Sequence, residues 1–312
     1  MNYLTTEDIN GIVERQLACW PMAKRNFDAL TGAERKELPL GDLKACAQFN
    51  PGRIKSTAAK VDPLSIKARE CFLCASNRPT EQEALKWIDG WDLLVNPYPI
   101  LPIHFTIVDT RHTPQSEIPF EMAEMAEKAP DLAIFFNGAR AGASAPDHRH
   151  CQGVLKAELP LLSLAEKAHS PEMPPLMSSE DFGLDLPFHF LSAVIKPSPE
   201  GMKTLVEITG ARGIDASTGV PDPALVNAFF WIDSRGYLRV IVIPRKAHRP
   251  ACFYEEGEGK LTASPGALDM AGMLILPVYK DFQAITPDIA RKIYAETAFA
   301  DSLPEEVLRV RS

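Results

Sequence analysis

The chain lacks the features of a membrane or secreted protein. Its best apolar run, Ala271 to Leu276, stops at Pro277, whereas a membrane-spanning helix needs roughly 18 apolar residues. The first twenty residues carry early acidic groups and lack the apolar centre of a secretory signal. These absences predict a cytoplasmic protein that has no membrane partner.

Cysteines and basic residues are also few. Six cysteines in 312 residues, two of them as Cys71-Phe72-Leu73-Cys74, favour a reducing compartment and a metal site over a disulfide framework. With 33 Lys and Arg against 41 Asp and Glu, the formal net charge is -8. This charge disfavours nucleic acid as the main partner, because proteins that bind the phosphate backbone need clustered basic residues. A small nucleotide stays compatible with it, since a single pocket can be positive on an acidic protein.

The length and the apolar pattern predict a globular α+β protein of two units or one enlarged domain. Helical spacing over residues 6–31 follows a Thr5/Thr6 cap, and a second helix is predicted over residues 120–128. Short apolar runs separated by prolines predict strands over the following stretches: 91–96, 104–109, 131–137 and 148–155. An antiparallel sheet with a helix on one face is the simplest arrangement of these elements.

The second half of the chain resembles the first in kind. The segments PFHFLSAVIK, NAFFWIDS and GYLRVIVIPRKAH are typical of strands, and a helix is predicted over residues 287–298. In particular, LRVIVIPRKAH echoes HFTIVDTRH, as if one half had duplicated the other and lost its histidine pair. The Pro-, Met- and Ser-rich stretch 171–179 predicts a crossover between the halves.

The polar pattern His148-Arg149-His150-Cys151-Gln152 is the main candidate for chemistry. On a β-strand the side chains of His148, His150 and Gln152 would share one face. A buried imidazole or amide without a hydrogen-bond partner costs roughly 1–3 kcal/mol, so a core face would favour aliphatic residues. For two histidines at this spacing alone, a solvated strand edge is an equal alternative.

The loop before this strand indicates a ligand. Gly138 and Gly142 lie among small residues in FFNGARAGASAPDHRHCQ, which would let a phosphate approach backbone N–H donors. Asn137, Arg140 and Ser144 are further candidates for binding this phosphate. A glycine-rich loop is weak evidence by itself, but its union with His-x-His-x-Gln is more specific.

Two blocks of the sequence resemble the histidine-triad superfamily in its transferase branch, which includes galactose-1-phosphate uridylyltransferase, diadenosine tetraphosphate phosphorylase and the GDP-sugar phosphorylases. One block is the His-x-His-x-Gln strand, and the other is NPYPILPIHFTIVDTRH, in which an Asn96-Pro97 turn leads to a strand that ends near a second histidine. The resemblance implies a histidine-triad-like antiparallel sheet with flanking helices in two related halves. A catalytic half would cover residues 1–170, and a degenerate half residues 171–312. The chain departs from relatives at Ala145-Pro146-Asp147, where a short Asn-Pro link is usual.

The resemblance also implies residue roles. His150 matches the nucleophile, and Gln152 stands where hydrolytic members have a third histidine. An amide can bind a phosphate oxygen but cannot act as a general acid, so Gln152 favours transfer over hydrolysis. Asn96 is the matching substrate-binding residue of the turn.

Cys71 and Cys74 have zinc-knuckle spacing, although as an isolated pair they could equally be buried cysteines. In similar uridylyltransferases two histidines complete the site, and the matching residues are His112 and His148. These four ligands leave no open position, which implies a structural zinc ion. His104 is an alternative ligand, or a core histidine.

The resulting expectation is a nucleotidyltransferase of the EC 2.7.7 type that passes a nucleoside monophosphate through a covalent nucleotidyl-histidine, from a nucleoside-diphosphate sugar to phosphate. Alternatives are a dinucleoside polyphosphate phosphorylase of the ATP adenylyltransferase type, a hexose-1-phosphate uridylyltransferase and a nucleotide-binding regulatory protein without turnover. The chain could also form a homodimer. Arg245, Lys246 and His248 are expected to be solvated and are assigned no catalytic role.

Overall fold

A computed structural model describes residues 3–58 and 61–308 of the chain. The α-helices in these ranges are α1 (Thr6–Cys19), α2 (Pro21–Thr31), α3 (Ile54–Thr57), α4 (Pro63–Lys67), α5 (Met122–Lys128), α6 (Pro160–Ala168), α7 (Pro199–Thr209), α8 (Ala267–Met270), α9 (Tyr279–Ala284) and α10 (Pro287–Thr297). Short 3-10 helices span Pro51–Arg53, Ala75–Asn77, Lys156–Glu158, Ser179–Phe182, Ala251–Phe253, Gly257–Gly259 and Glu305–Leu308. Within the described ranges, no helix has both the length and the apolar character needed to cross a membrane.

The strands are β1 (Arg35–Leu40), β2 (Leu43–Phe49), β3 (Leu85–Ile88), β4 (Trp91–Val95), β5 (His104–Asp109), β6 (Leu132–Asn137), β7 (His150–Leu155), β8 (Leu176–Ser178), β9 (Leu191–Ile195), β10 (Gly213–Ile214), β11 (Pro221–Asp222), β12 (Val226–Ile232), β13 (Leu238–Pro244) and β14 (Met273–Leu276). Nine of them form one sheet in the order β3-β4-β5-β7-β6-β12-β13-β9-β8, and every pair in it is antiparallel. The predicted α+β class with a large antiparallel sheet and flanking helices is confirmed.

The strand order of the large sheet repeats on the two sides of the β6–β12 junction. On each side of the β6–β12 junction the strands of this sheet follow one pattern of two strands, a helix and two further strands, as β4-β5-α5-β6-β7 and β8-β9-α7-β12-β13, with the short β10–β11 pair between α7 and β12. In this arrangement β13 corresponds to β7 and not to β5, so the sequence echo between LRVIVIPRKAH and HFTIVDTRH joins strands that are not equivalent. The division at residue 170 stays a prediction.

A second, three-stranded sheet covers one face of the large one. β1 pairs with β2, and β14 adds to β2 in parallel, with Met273 opposite Cys46. The apolar core between the two sheets contains Phe135 and Val154 from the large sheet and Leu38 and Leu43 from the small one. Because side chains alternate along β7, His150 and Gln152 point to the same face as Val154. The site therefore lies on the side of the large sheet that the small sheet covers.

The opposite face of the large sheet has its own core. α1, α5 and α7 contribute Ile9, Val13, Met125 and Leu205 to it, and Cys151 of β7 points into it. Thr5 caps α1 through a reciprocal pair of hydrogen bonds with Asp8, as predicted for this cap.

Two elements differ from the sequence prediction. The helix expected over residues 6–31 is two helices that meet at Trp20, because Pro21 opens α2 and has no N–H to continue α1. The strand expected over residues 148–155 begins at His150, and His148 lies in the bend before it. The prediction that His148, His150 and Gln152 share one strand face is therefore wrong for His148.

Candidate active site and metal centre

Four predicted ligands converge at the start of β7. One ligand atom from each of Cys71, Cys74, His112 and His148 lies within 4.8 Å of the other three. Nδ1 of His148 is 3.3 Å from Sγ of Cys71 and 3.6 Å from Sγ of Cys74, and Nδ1 of His112 is 3.2 Å from the latter sulfur. Neighbouring ligand atoms of a tetrahedral zinc ion, with bonds of about 2.3 Å to sulfur and 2.0 Å to nitrogen, lie about 3.5 Å apart. The residues present therefore fit a closed tetrahedral metal site, while His104 is not part of the cluster.

Backbone contacts prepare these ligands. Nε2 of His148 lies 2.7 Å from the carbonyl oxygen of Asp109, so Nε2 carries the proton and Nδ1 is free to bind a metal ion. Asn77 donates its side-chain amide to the carbonyl of Cys71, and the N–H of Cys74 donates to the same carbonyl. These two hydrogen bonds hold the loop that carries Cys71 and Cys74, and both cysteines are free thiols.

His150 is buried, and a backbone contact orients its ring. Only 5% of it is exposed, and its Nδ1 lies 2.8 Å from the carbonyl oxygen of His148. This contact places the ring proton on Nδ1 and leaves the lone pair on Nε2. Burial, the largest effect, lowers the pKa of His150 to about 4. The imidazole is therefore uncharged near neutral pH, which a nitrogen nucleophile requires.

The side chain of Gln152 is oriented by His104. The backbone N–H of Ile100 donates to Nδ1 of His104 at 3.1 Å, so the ring proton of His104 is on Nε2. That N–H donates to Oε1 of Gln152 at 2.9 Å, which fixes which end of the amide is oxygen. No described residue accepts a hydrogen bond from the amide NH2 of Gln152. This group is the donor available beside His150.

A second feature of His104 is its low basicity. Burial and the nearby charge of Arg53 lower the pKa of His104 to about 3. The guanidinium of Arg53 also donates to the carbonyl of Tyr98 in the Asn96-Pro97 turn and interacts with the carboxylate of Asp269. The position of Arg53 is set by the packing of residues 51–53 against the turn, which no local motif signals.

The glycine-rich loop is packed more tightly than the sequence suggested. The N–H groups of Gly138 and Arg140 already donate to the carbonyls of Val226 and Ala224. Gly142 has φ of +95°, and a Cβ there would lie 2.4 Å from Cα of Gly266. These contacts join the loop to the second half of the chain, so a phosphate role for Gly138 and Gly142 stays a prediction.

The polar side chains of the glycine-rich loop differ in whether other parts of the chain already bind them. Arg140 makes ion pairs with Asp215 and Asp222, and Oδ1 of Asn137 accepts hydrogen bonds from the side chain of Asn227 and the N–H of Ala267. The Arg140 guanidinium and the Asn137 side-chain oxygen are thus already bound to other parts of the chain, where they stabilise the fold. Ser144 has no hydrogen-bond partner for its hydroxyl in the described part of the chain. The substrate-binding roles of all three stay predictions.

Asn96 is hydrogen-bonded within its own turn, and its role in substrate binding stays a prediction. Oδ1 of Asn96 accepts from the N–H of Tyr98 at 2.9 Å, and its Nδ2 lies 3.4 Å from Nε2 of His104.

Arg245 is fully buried and donates to Oδ1 of Asn227 and to the carbonyl of Pro265. The expectation that Arg245 is solvated is wrong, because its guanidinium links the second-half loop to β12.

A family model described as a domain of unknown function, DUF4922, matches residues 12–155, a range that contains every predicted site residue. No curated protein matches the chain significantly.

Solved structures of yeast Ap4A phosphorylase Apa2 are similar to the chain over almost their whole length. One matches with a TM-score of 0.56 and 15% identity, over 91% of this chain and 98% of the yeast chain. The complex with Ap4A matches with a TM-score of 0.58 and 16% identity, over 94% and 99%. The complex with AMP matches with a TM-score of 0.55 and 14% identity, over 93% and 98%. The chain therefore shares the fold of these yeast enzyme structures.

Proposed function

We propose that this protein is a nucleotidyltransferase that carries a nucleoside monophosphate on His150 and passes it to inorganic phosphate. The observation that carries this proposal is the state of the His150 ring, which is neutral, tied through Nδ1 to the His148 carbonyl and unbonded at Nε2 among the described residues. A regulatory protein that only binds nucleotides would not need this arrangement.

The reaction proceeds as two displacements. Nε2 of His150 attacks the α-phosphorus of the donor, an N–P bond forms, and the bond from phosphorus to the leaving oxygen breaks. An oxygen of inorganic phosphate then attacks the same phosphorus, the N–P bond breaks, and a nucleoside diphosphate leaves. As the ring gains positive charge, its Nδ1–H donates more strongly to the His148 carbonyl at 2.8 Å. The ring thus needs no separate base.

Gln152 stabilises the phosphoryl group without moving a proton. Its NH2 can donate to a non-bridging oxygen, because His104 already binds its carbonyl end. The amide cannot protonate a leaving group. Phosphates leave readily without protonation, since their second pKa is about 6. The site therefore suits donors whose leaving group is a nucleotide or a sugar phosphate.

Two donor classes follow. A dinucleoside polyphosphate is supported by the shared fold with a yeast enzyme whose structure was solved with Ap4A. A nucleoside-diphosphate sugar has the same α-phosphorus and an equally good leaving group, and it is the donor expected from the family resemblance. With a hexose 1-phosphate as acceptor, the same adduct would give a uridylyltransferase.

The metal centre has a supporting role in this proposal. A zinc ion bound by Cys71, Cys74, His112 and His148 would supply a rigid link between the ligand loop and the start of β7. His148 then holds its carbonyl oxygen against Nδ1 of His150. The cluster offers no open coordination position, so the reaction needs none of its chemistry.

The test is a donor and acceptor panel. Ap4A, ADP-glucose, GDP-glucose and UDP-glucose are each incubated with phosphate or radiolabelled galactose 1-phosphate, and products are separated by ion-exchange chromatography. We expect a nucleoside diphosphate from at least one donor with phosphate. His150→Ala should bind nucleotide by calorimetry and yield no product. Absence of product from every pair would reject turnover, and product from His150→Ala would reject the mechanism.

A further inference from the structure

The side chain of Gln115 contacts the backbone of the candidate nucleophile. Gln115 lies between β5 and α5 and is only 1% exposed. Its Nε2 donates to the carbonyl oxygens of Asn137 and His150, both at 2.9 Å. Its Oε1 accepts from the N–H of His150 at 2.8 Å. The Gln115 carboxamide therefore makes three hydrogen bonds, all to backbone groups at the ends of β6 and β7.

The register of the sheet shows what this side chain replaces. β6 and β7 pair from Leu132 opposite Leu155 to Phe135 opposite Gln152. Two residues further along, the same register would place Asn137 opposite His150, but no pair forms there. Gln115 occupies this place. A carboxamide has the donor and acceptor groups of a peptide bond, so Gln115 acts as an inserted piece of strand between the two chains.

The insertion matters because His150 is the first residue of β7. A terminal strand residue frays unless its N–H and C=O groups are bound. On the other side, β5 brings Val108 opposite His150, but the N–H and C=O of His150 are directed to Gln115. Gln115 thus fixes the backbone of His150, and the His148 carbonyl fixes the His150 ring.

We propose that Gln115 is a positioning residue for nucleotidyl transfer, which holds the His150 backbone so that Nε2 meets the α-phosphorus in line. The proposal rests on the proposed function of His150. Gln115 itself does not touch the substrate. A misplacement of about 1 Å can cost about 100-fold in rate, so loss of these three hydrogen bonds should slow adduct formation and leave nucleotide affinity nearly unchanged.

The first variant is Gln115→Glu, which keeps size and shape. A carboxylate can accept from the His150 N–H but cannot donate to the two carbonyl oxygens. Gln115→Asn is the second variant, because it keeps both groups on a shorter side chain. The matched control is Gln16→Glu. Gln16 is also 1% exposed and binds the backbone of Glu81 and Glu83, and none of these three residues is hydrogen-bonded to Gln115 or His150.

The measurement is the single-turnover rate of the His150 adduct together with the nucleotide Kd. For both Gln115 variants we expect the rate to fall by about 10- to 100-fold, with Kd changed less than about threefold. The control should lose stability and keep the wild-type rate. Wild-type rates in both folded Gln115 variants would overturn the proposal, and so would a rate loss in the control equal to theirs.

A readout that does not depend on activity separates the two proposals. Amide hydrogen exchange at His150 should be slow in the wild type and faster in Gln115→Asn. If the wild type forms no adduct with any donor, the proposed function fails, whereas exchange still reports on the contact. Equal exchange in the wild type and the variant would contradict the role of Gln115.

Discussion

Nε2 of His104 donates its proton to Oε1 of Gln152 at 2.9 Å, across the neighbouring strands β5 and β7. Since Nδ1 of His104 is held by the N–H of Ile100, His104 can offer only a donor to Gln152. If the Gln152 amide turned over, its NH2 group would face the Nε2–H of His104, and this hydrogen bond would be lost. The orientation of the Gln152 amide is therefore set by a residue of the neighbouring strand, and this contact predicts a role for His104 in the proposed reaction.

His104→Phe should lower kcat and leave KM nearly unchanged. The ring volume is kept, but the amide of Gln152 loses the donor that fixes it, and the loss of one oriented donor to a phosphoryl oxygen costs up to about 100-fold. Steady-state kinetics with the donor found in the panel measure the effect. His189→Phe is the control, because His189 contacts Ser179 in the second half of the chain. A kcat within a factor of two of the wild type in His104→Phe would contradict the orientation argument.

The purified protein should contain about one zinc ion per chain. Cys71→Ser should lose the ion and lower Tm by at least about 5 °C, since metal sites of this type stabilise the fold directly. Adduct formation should fall with it, because His148 would no longer be anchored beside His150. Metal analysis and thermal unfolding measure both effects. Cys19→Ser is the control, because Cys19 is exposed and outside the cluster. A zinc-free wild type with full activity would refute the site.

Stability should fall as pH decreases from about 6.5, the ordinary pKa of histidine. Burial, the largest effect, lowers the pKa of His248 to about 3, and its Nδ1 is buried without a hydrogen bond. Between these two pKa values the unfolded chain binds a proton that the folded chain does not, so acid favours unfolding. The full effect is about 1.4 kcal/mol per pH unit for one such group.

The variant His248→Asn isolates this contribution. We expect the difference in unfolding free energy between pH 7.5 and 5.5, from urea titrations, to be smaller in the variant than in the wild type. Asp269 works in the opposite sense, because burial raises its pKa to about 6 and the folded chain then holds a proton that the unfolded chain releases. Comparing the two proteins cancels the contribution of Asp269. Equal pH dependence in both would show that His248 does not titrate as stated.

The sequence predicted the parts of the site that follow local rules. β5 begins at His104 and ends at Asp109 as expected, and the ligand pair Cys71 and Cys74 meets the two histidines that the family resemblance suggested. The alternation of side chains along a strand and the Cys-x-x-Cys spacing are patterns of a few residues, so they could be predicted from the sequence.

Long-range contacts were beyond sequence reasoning. β14 reaches β2 from more than 200 residues away, and the buried carboxamide of Gln115 replaces a strand partner that no pattern near it signals. The bend at His148 also depends on distant groups, because the carbonyl of Asp109 and the sulfur of Cys71 hold its ring. These features arise from packing between segments, so a single sequence does not show them.

The covalent intermediate gives the sharpest prediction. After brief incubation with donor and no acceptor, the peptide containing His150 should gain the mass of one nucleoside monophosphate, and acid should remove it because phosphoramidates are acid-labile. The neighbouring Cys151 points to the opposite core, and burial raises its pKa, so it stays a thiol that does not attack phosphorus. Cys151→Ala should therefore retain the adduct, while His150→Ala should lose it. An acid-stable adduct, or one that survives in His150→Ala, would place the nucleotidyl group on another residue.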